Sequence, residues 1–312
     1  MKSDLGVELG GLGRLESPVL LSSGTFGTAT PYLKMLQDQP VGAVCTKTIT
    51  PLPKNGNPQP RILEGPSSLI NSIGLENPGI DAFVRGFERE YASLPFVHIV
   101  SISANAPGEF VHLVERLNEL RTPRAIELNL SCPNVDSEGL AFGNSPEKIG
   151  SVVRECARIS RFPLVAKLSP FQSIDPSFAL AAQEGGAAAL ALINTIPAMV
   201  LDIHQFRSAL GTLSGGLSGP AIRPVALKMV YEISHAVHIP VIGMGGISSG
   251  EDAIEFLMAG ASAVSLGTMN LVKPTLPSAI CACIHDFLVE HEMENVGEIS
   301  RRFDGLQSPR EP

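Results

Sequence analysis

The sequence predicts a TIM-type (β/α)8 barrel, and three observations point to it. Eight short apolar runs, each ending in polar or glycine residues, alternate with amphipathic segments along the chain. Hydrophobic residues make up 44% of the 312 positions and charged ones only 17%, which suits a parallel sheet buried on both faces. The 30 glycines supply the tight turns that repeated strand-to-helix connections require. One domain over residues 1–312 is expected, although the length would also hold two ordinary domains. An open doubly wound sheet is the competing arrangement.

In chain order, Leu5 to Glu16 alternates apolar and polar residues around Gly10, Gly11 and Gly13, which reads as a hairpin plugging the closed end of the barrel. The eight strand runs follow: Val19 to Ser22, Ala43 to Thr46, Val97 to Ile102, Ala125 to Leu130, Leu164 to Leu168, Ala188 to Ile193, Val241 to Met244 and Ala263 to Leu266. Between them, Ser145-Pro146-Glu147 and Asp175-Pro176 read as helix starts, and Ser248 with Glu251 as a capping box. Two connections are too long for simple turns, Pro51 to Gly79 and Thr195 to Gly219. Insertions at the catalytic face commonly form lids or substrate walls.

The net charge is −8 and no basic run is long enough to track phosphates, so nucleic-acid binding is not expected. Apolar runs such as Ala187 to Ile193 fall short of the ~20 residues of a membrane span, and Met1 to Gly13 does not read as a signal peptide. The five cysteines lack metal-site spacing, so the expectation is a reduced, cytoplasmic protein without a metal site.

Chemistry belongs at the C-terminal ends of barrel strands. The fourth end, Glu127 to Asn134 (ELNLSCPN), brings Asn129, Ser131, Cys132 and Asn134 together where Pro133 ends the strand. A cysteine in an apolar chain is usually an inert buried residue, yet Cys132 lies past a strand end among polar groups. Lys47 and Lys167 sit inside apolar strand runs, where an ammonium is costly unless an anion or acceptor meets it. A structural pair with Glu127 is one reading, and an anionic or reducible cofactor is the other. Glycine turns at Gly243 to Ile247 and Ser265 to Met269 follow strands seven and eight, the places where a barrel holds phosphate. With no GxGxxG fingerprint, FMN fits that pair of turns.

ELNLSCPN, NSIGLENPG from Asn71 to Gly79, GNPQPR from Gly56 to Arg61, SGGLSGPAIRPVAL from Ser214 to Leu227 and the two glycine turns together resemble the class 1 dihydroorotate dehydrogenases. The resemblance covers nearly the whole chain. It implies an FMN barrel oxidising dihydroorotate to orotate in pyrimidine synthesis, with Cys132 as base and Lys47 touching both flavin and substrate. Substrate contacts would come from Asn71, Ser72, Ile73, Gly74, Leu75, Asn129, Asn134, Asn194 and Thr195. Flavin contacts would come from Ser23, Lys47, Thr48, Ser101, Asn129, Lys167, Ile193, Gly219, Gly245, Gly246, Gly267 and Thr268. SGGLSGPAIRPVAL, the INT run and AKLSP resemble the NAD-linked members, which implies a homodimer joined to a subunit carrying FAD and a [2Fe-2S] cluster, together a heterotetramer. Ser101 departs from that subgroup, whose members place asparagine there, and is similar to the fumarate-using members, which act without a partner subunit. Dihydropyrimidine dehydrogenases carry ferredoxin-like cysteine runs that this chain lacks. A non-catalytic phosphate-ligand barrel would have lost the polar strand ends, which are present.

Overall fold

The computed structural model describes residues 3–25, 36–92, 94–131 and 145–303. Eight parallel strands close on themselves in chain order: Val19–Leu21, Ala43–Cys45, Val97–Ile102, Ala125–Asn129, Leu164–Lys167, Ala189–Leu192, Val241–Met244 and Ala263–Leu266. The eighth returns to the first with Val264 opposite Val19, so no edge is left open. Nearly every residue in these strands is buried, as expected of a sheet with side chains packed inside and helices outside. Several strands stop one residue before the apolar run does. Ser22, Leu130, Leu168 and Ile193 still donate an amide to the neighbouring strand, and there the chain turns towards the barrel mouth.

The N-terminal hairpin forms, with Val7–Glu8 antiparallel to Arg14–Leu15. Its turn abuts Ala188, Pro163 and Pro240, residues that immediately precede three barrel strands, so it closes the end opposite the strand C-termini. Leu9, Leu12 and Leu15 are buried there.

Helices wrap the outside, among them Ile80–Tyr91, Pro107–Leu117, Pro146–Ile159, Pro176–Glu184, Arg223–Ala236, Gly250–Met258 and Leu276–Glu290. Ser145 and Asp175 cap their helices as their sequences suggest, accepting from the amides of Lys148 and Ser177. The third start is one residue later than expected. Ser249, not Ser248, is the cap, and it exchanges bonds with Asp252 rather than Glu251. The Asp252 carboxylate also receives the Ser248 amide and hydroxyl, which makes the later register the better-bonded one.

The two long insertions are a single structure. Ile62–Gly65 and Ser68–Asn71 from the first pair antiparallel, and Gly215–Ser218 and Ile196–Ala198 from the second extend them into a four-stranded sheet across the barrel mouth. Asn77 closes the base of the first insertion. Its side chain donates to the Thr50 hydroxyl at 2.8 Å and the Leu75 carbonyl at 2.7 Å, and accepts from the Thr50 and Gly79 amides. Asn77→Ala therefore strands buried backbone donors. The expected cost is about 2 to 3 kcal/mol of stability, read as a lowered urea midpoint, with a raised KM as residues 71–75 loosen.

Candidate functional site

Between the barrel mouth and the insertion sheet lies a cavity of about 480 Å³, within the usual range of a small-molecule site. The strand ends supply its floor and the insertion sheet its roof. The first two ends bring Ser22, Ser23, Lys47 and Thr48, the fourth brings Asn129 and Ser131, and the fifth and sixth bring Lys167, Ile193, Asn194 and Thr195. The glycine turns contribute Gly245, Gly246, Gly267 and Thr268, and the roof contributes Asn71 to Leu75 with Gly219.

Two of the site amides bond each other, and the third is held by the roof. Asn194 donates its Nδ2 to Asn129 Oδ1 at 3.3 Å, and its own Oδ1 accepts the Thr195 amide at 2.8 Å. Asn129 Oδ1 also accepts from the Ser131 amide, so its Nδ2 is the group left to serve a ligand. Asn71 donates to the Gly216 carbonyl, which leaves its oxygen as an acceptor. Such a mixture suits a ring edge that alternates N–H and C=O. Gly215 and Gly216 make the arrangement possible, because a Cβ on Gly216 would collide with the Thr195 hydroxyl and one on Gly215 with the Asn71 carbonyl.

The loop Asn71 to Leu75 is held from behind. Arg61 donates Nε to the Asn57 carbonyl at 2.5 Å and Nη2 to the Asn55 carbonyl at 2.8 Å, and pairs with Glu76. Asn57 Nδ2 bonds the Ser72 hydroxyl at 2.8 Å, which meets Thr212 of the other insertion at 2.7 Å. Gly74 has φ +74° and its Cβ would strike Asn57, so only glycine fits.

The two lysines differ in their surroundings. Lys167 is 5% exposed; its Nζ donates to Ser23 Oγ at 3.0 Å and lies 3.9 Å from the Glu127 carboxylate. The structural pair with Glu127 is present, and Lys167 also lines the cavity. Among the described residues no carboxylate lies within ion-pair distance of Lys47. Burial depresses the Lys47 pKa below the ordinary lysine value; the charge of Glu76 opposes this and that of Lys167 adds to it. An anion placed here would offset that cost.

Ser101 is not among the residues that line the cavity: it is 0% exposed, and its hydroxyl lies under the floor between Thr48 at 2.9 Å and Glu127 at 2.8 Å. Cys132 and Asn134 lie outside the described residues. Ser103, at the third strand end, lines the cavity too, as do Ser218, Ile62, Leu69 and Leu271, which were not anticipated. Three of these last four come from the insertions, whose pairing across more than a hundred residues leaves no local signal.

The glycine turns fit a phosphate-bearing group by conformation and space. Gly245 and Gly246 have φ of +124° and +81°, and a Cβ on Gly246 would lie 2.7 Å from the Arg223 amide nitrogen. A Cβ on Gly267 would meet only Ser22 Oγ, at 4.0 Å, so that turn faces open space within the cavity. The helix Gly250–Met258 beyond the first turn is capped by its own Ser249 and Asp252. At that turn, donors for an anion would come from the turn itself, whereas the helix Thr268–Val272 after Gly267 has no side-chain cap.

Residues 5–288 match the family described as dihydroorotate dehydrogenase. Three curated relatives, each named as the catalytic subunit of dihydroorotate dehydrogenase B (NAD(+)), align along nearly their whole length. That of Desulforudis audaxviator (strain MP104C) is 44% identical over 299 residues, 96% of this chain and 97% of its own. Those of Pelobacter propionicus and Geotalea daltonii are 41% and 42% identical, each over 96% of this chain and 98% and 97% of their own.

Proposed function

The chain belongs to the dihydroorotate dehydrogenase family, and from that premise we propose that it is the FMN-bearing catalytic subunit of an NAD-linked enzyme oxidising dihydroorotate to orotate in pyrimidine synthesis. One observation carries the reading. A single cavity joins two lysines, three asparagines, two of them bonded to each other, and two glycine turns.

Each group then has a task. Asn71, Asn129, Asn194 and Thr195 hold the pyrimidine edge, and Lys47 meets the substrate carboxylate. Gly245, Gly246, Gly267 and Thr268 hold the cofactor phosphate, while Ser23, Thr48, Lys167, Ile193 and Gly219 surround the rest of that group. FMN, when bound, supplies the acceptor for the hydride that leaves ring carbon 6. Cys132, as thiolate, takes the proton from ring carbon 5, the step that lets the new double bond form. Asn134 completes the substrate contacts.

The word "catalytic subunit" in the relatives' names supports a partner, which we assign FAD and a [2Fe-2S] cluster in a heterotetramer built on a homodimer of this chain. Among the described residues no helix is long and apolar enough to cross a membrane. The test is to purify the chain alone and with a co-expressed partner, identify the released flavin by mass, and assay NAD⁺ and fumarate as acceptors. FMN should be released in both cases, and NAD⁺ should be reduced only with the partner. NAD⁺ reduction by the isolated barrel, or turnover with fumarate alone, would contradict the two-subunit reading.

A further inference from the structure

Glu127 has no part in the chemistry described above, yet it is a carboxylate 3% exposed at the heart of the barrel. An ionised carboxylate in such a place is costly unless donors and a countercharge meet it. Two groups do. The Ser101 hydroxyl donates to Oε1 at 2.8 Å, and Lys167 Nζ stands 3.9 Å away. Burial and the negative charge of Glu127 hold the neighbouring Cys45 thiol well above its ordinary pKa, so Cys45 stays a neutral thiol beside this carboxylate.

The direction of these bonds reaches the cavity on two sides. A carboxylate only accepts, so the single Ser101 proton is spent on Glu127. The 2.9 Å contact between Ser101 and Thr48 must then have Thr48 donating, which turns the Thr48 lone pairs towards the cavity as acceptors. On the other side Lys167 donates to Ser23 Oγ at 3.0 Å, so the Ser23 proton is left to point outward as a donor. Ser23, Thr48 and Lys167 line the cavity, while Glu127, Ser101 and Cys45 lie below it.

We infer that Glu127 is a positioning residue which sets the donor and acceptor sense of the cavity floor and balances the Lys167 charge, and thereby tunes the reduction potential of the bound flavin. This rests on the FMN reading of the site. Reduction adds negative charge to a flavin, and an ammonium with its countercharge removed favours that change more than a balanced pair does.

The test compares purified wild type, Glu127→Gln and Glu127→Asp by FMN content and by the potential of the bound flavin in an anaerobic dye titration. Glu127→Gln keeps the shape and removes the charge, and is expected to shift the reduction equilibrium about tenfold or more towards reduced flavin, roughly 30 mV for a two-electron couple. Glu127→Asp restores the charge and is expected to return to within about threefold of wild type. An unchanged or lowered potential in Glu127→Gln overturns the inference. If that variant does not fold with FMN, Ser101→Ala decides, since it cuts the link to Thr48 and leaves the ion pair. FMN affinity should then fall about five- to tenfold, the worth of one hydrogen bond, at an unchanged potential. Undiminished affinity overturns the inference by that route. Wild type that binds no FMN would instead defeat the cofactor reading itself.

Discussion

Cys132→Ala is expected to retain FMN and to lose about 10² to 10⁴ of kcat, the usual worth of a positioned general base. In the proposed mechanism the thiolate is the species that takes the ring carbon 5 proton. Activity should therefore climb with pH as the thiol ionises, around ~8.5 for an unperturbed cysteine or lower if Lys47 stabilises the thiolate. Stopped-flow measurement of flavin reduction separates the chemical step from later electron transfer, and it should be this first step that slows. Near-normal reduction at neutral pH would remove Cys132 from the role.

Lys47→Ala is expected to be nearly as damaging, for a different reason. Among the described residues no carboxylate lies within ion-pair distance of Lys47, Glu76 acts on it only from farther off, and desolvation already favours its neutral form. In the proposed complex the substrate carboxylate would supply a close partner. Removing one member of such a desolvated charged pair costs ~2–5 kcal/mol, or roughly 30-fold to several thousand-fold in kcat/KM. Lys47→Arg should not restore it, since a planar fork cannot occupy a site shaped for a compact ammonium. The sign of the pH effect follows from the depressed pKa. In the free enzyme Lys47 loses its proton at a lower pH than an ordinary lysine, so kcat/KM should fall on the alkaline side earlier than an unperturbed lysine would dictate. A steady-state profile with dihydroorotate measures this limb. An alkaline limb that persists unchanged in Lys47→Ala would assign it to another group.

The barrel was legible because its signal is local and repeated. Each apolar run is the right length for a buried parallel strand, and polar residues cluster at the ends that face the mouth. The site was legible through those ends, since Lys47, Asn129, Lys167, Asn194 and the glycine turns all follow directly from strand position. What stayed hidden depended on depth or distance. Strand alternation puts Ser101 on the inner face with Glu127, but only the packed structure shows that it lies below Thr48 rather than beside it. The union of the two insertions in one sheet joins Asn71 to Gly216, a pairing that no local pattern encodes. Ser249 displaced Ser248 as helix cap because Asp252 can bond both residues at once, a preference decided by geometry rather than residue type.

The central claim is that this cavity brings dihydroorotate and a flavin together for direct transfer. Anaerobic titration of the purified chain with dihydroorotate, followed by flavin absorbance, tests it most directly. Stoichiometric bleaching of bound FMN with formation of one orotate per flavin is the expected result. A flavin that stays oxidised under excess dihydroorotate, or a purified chain that neither contains nor takes up FMN, would contradict it.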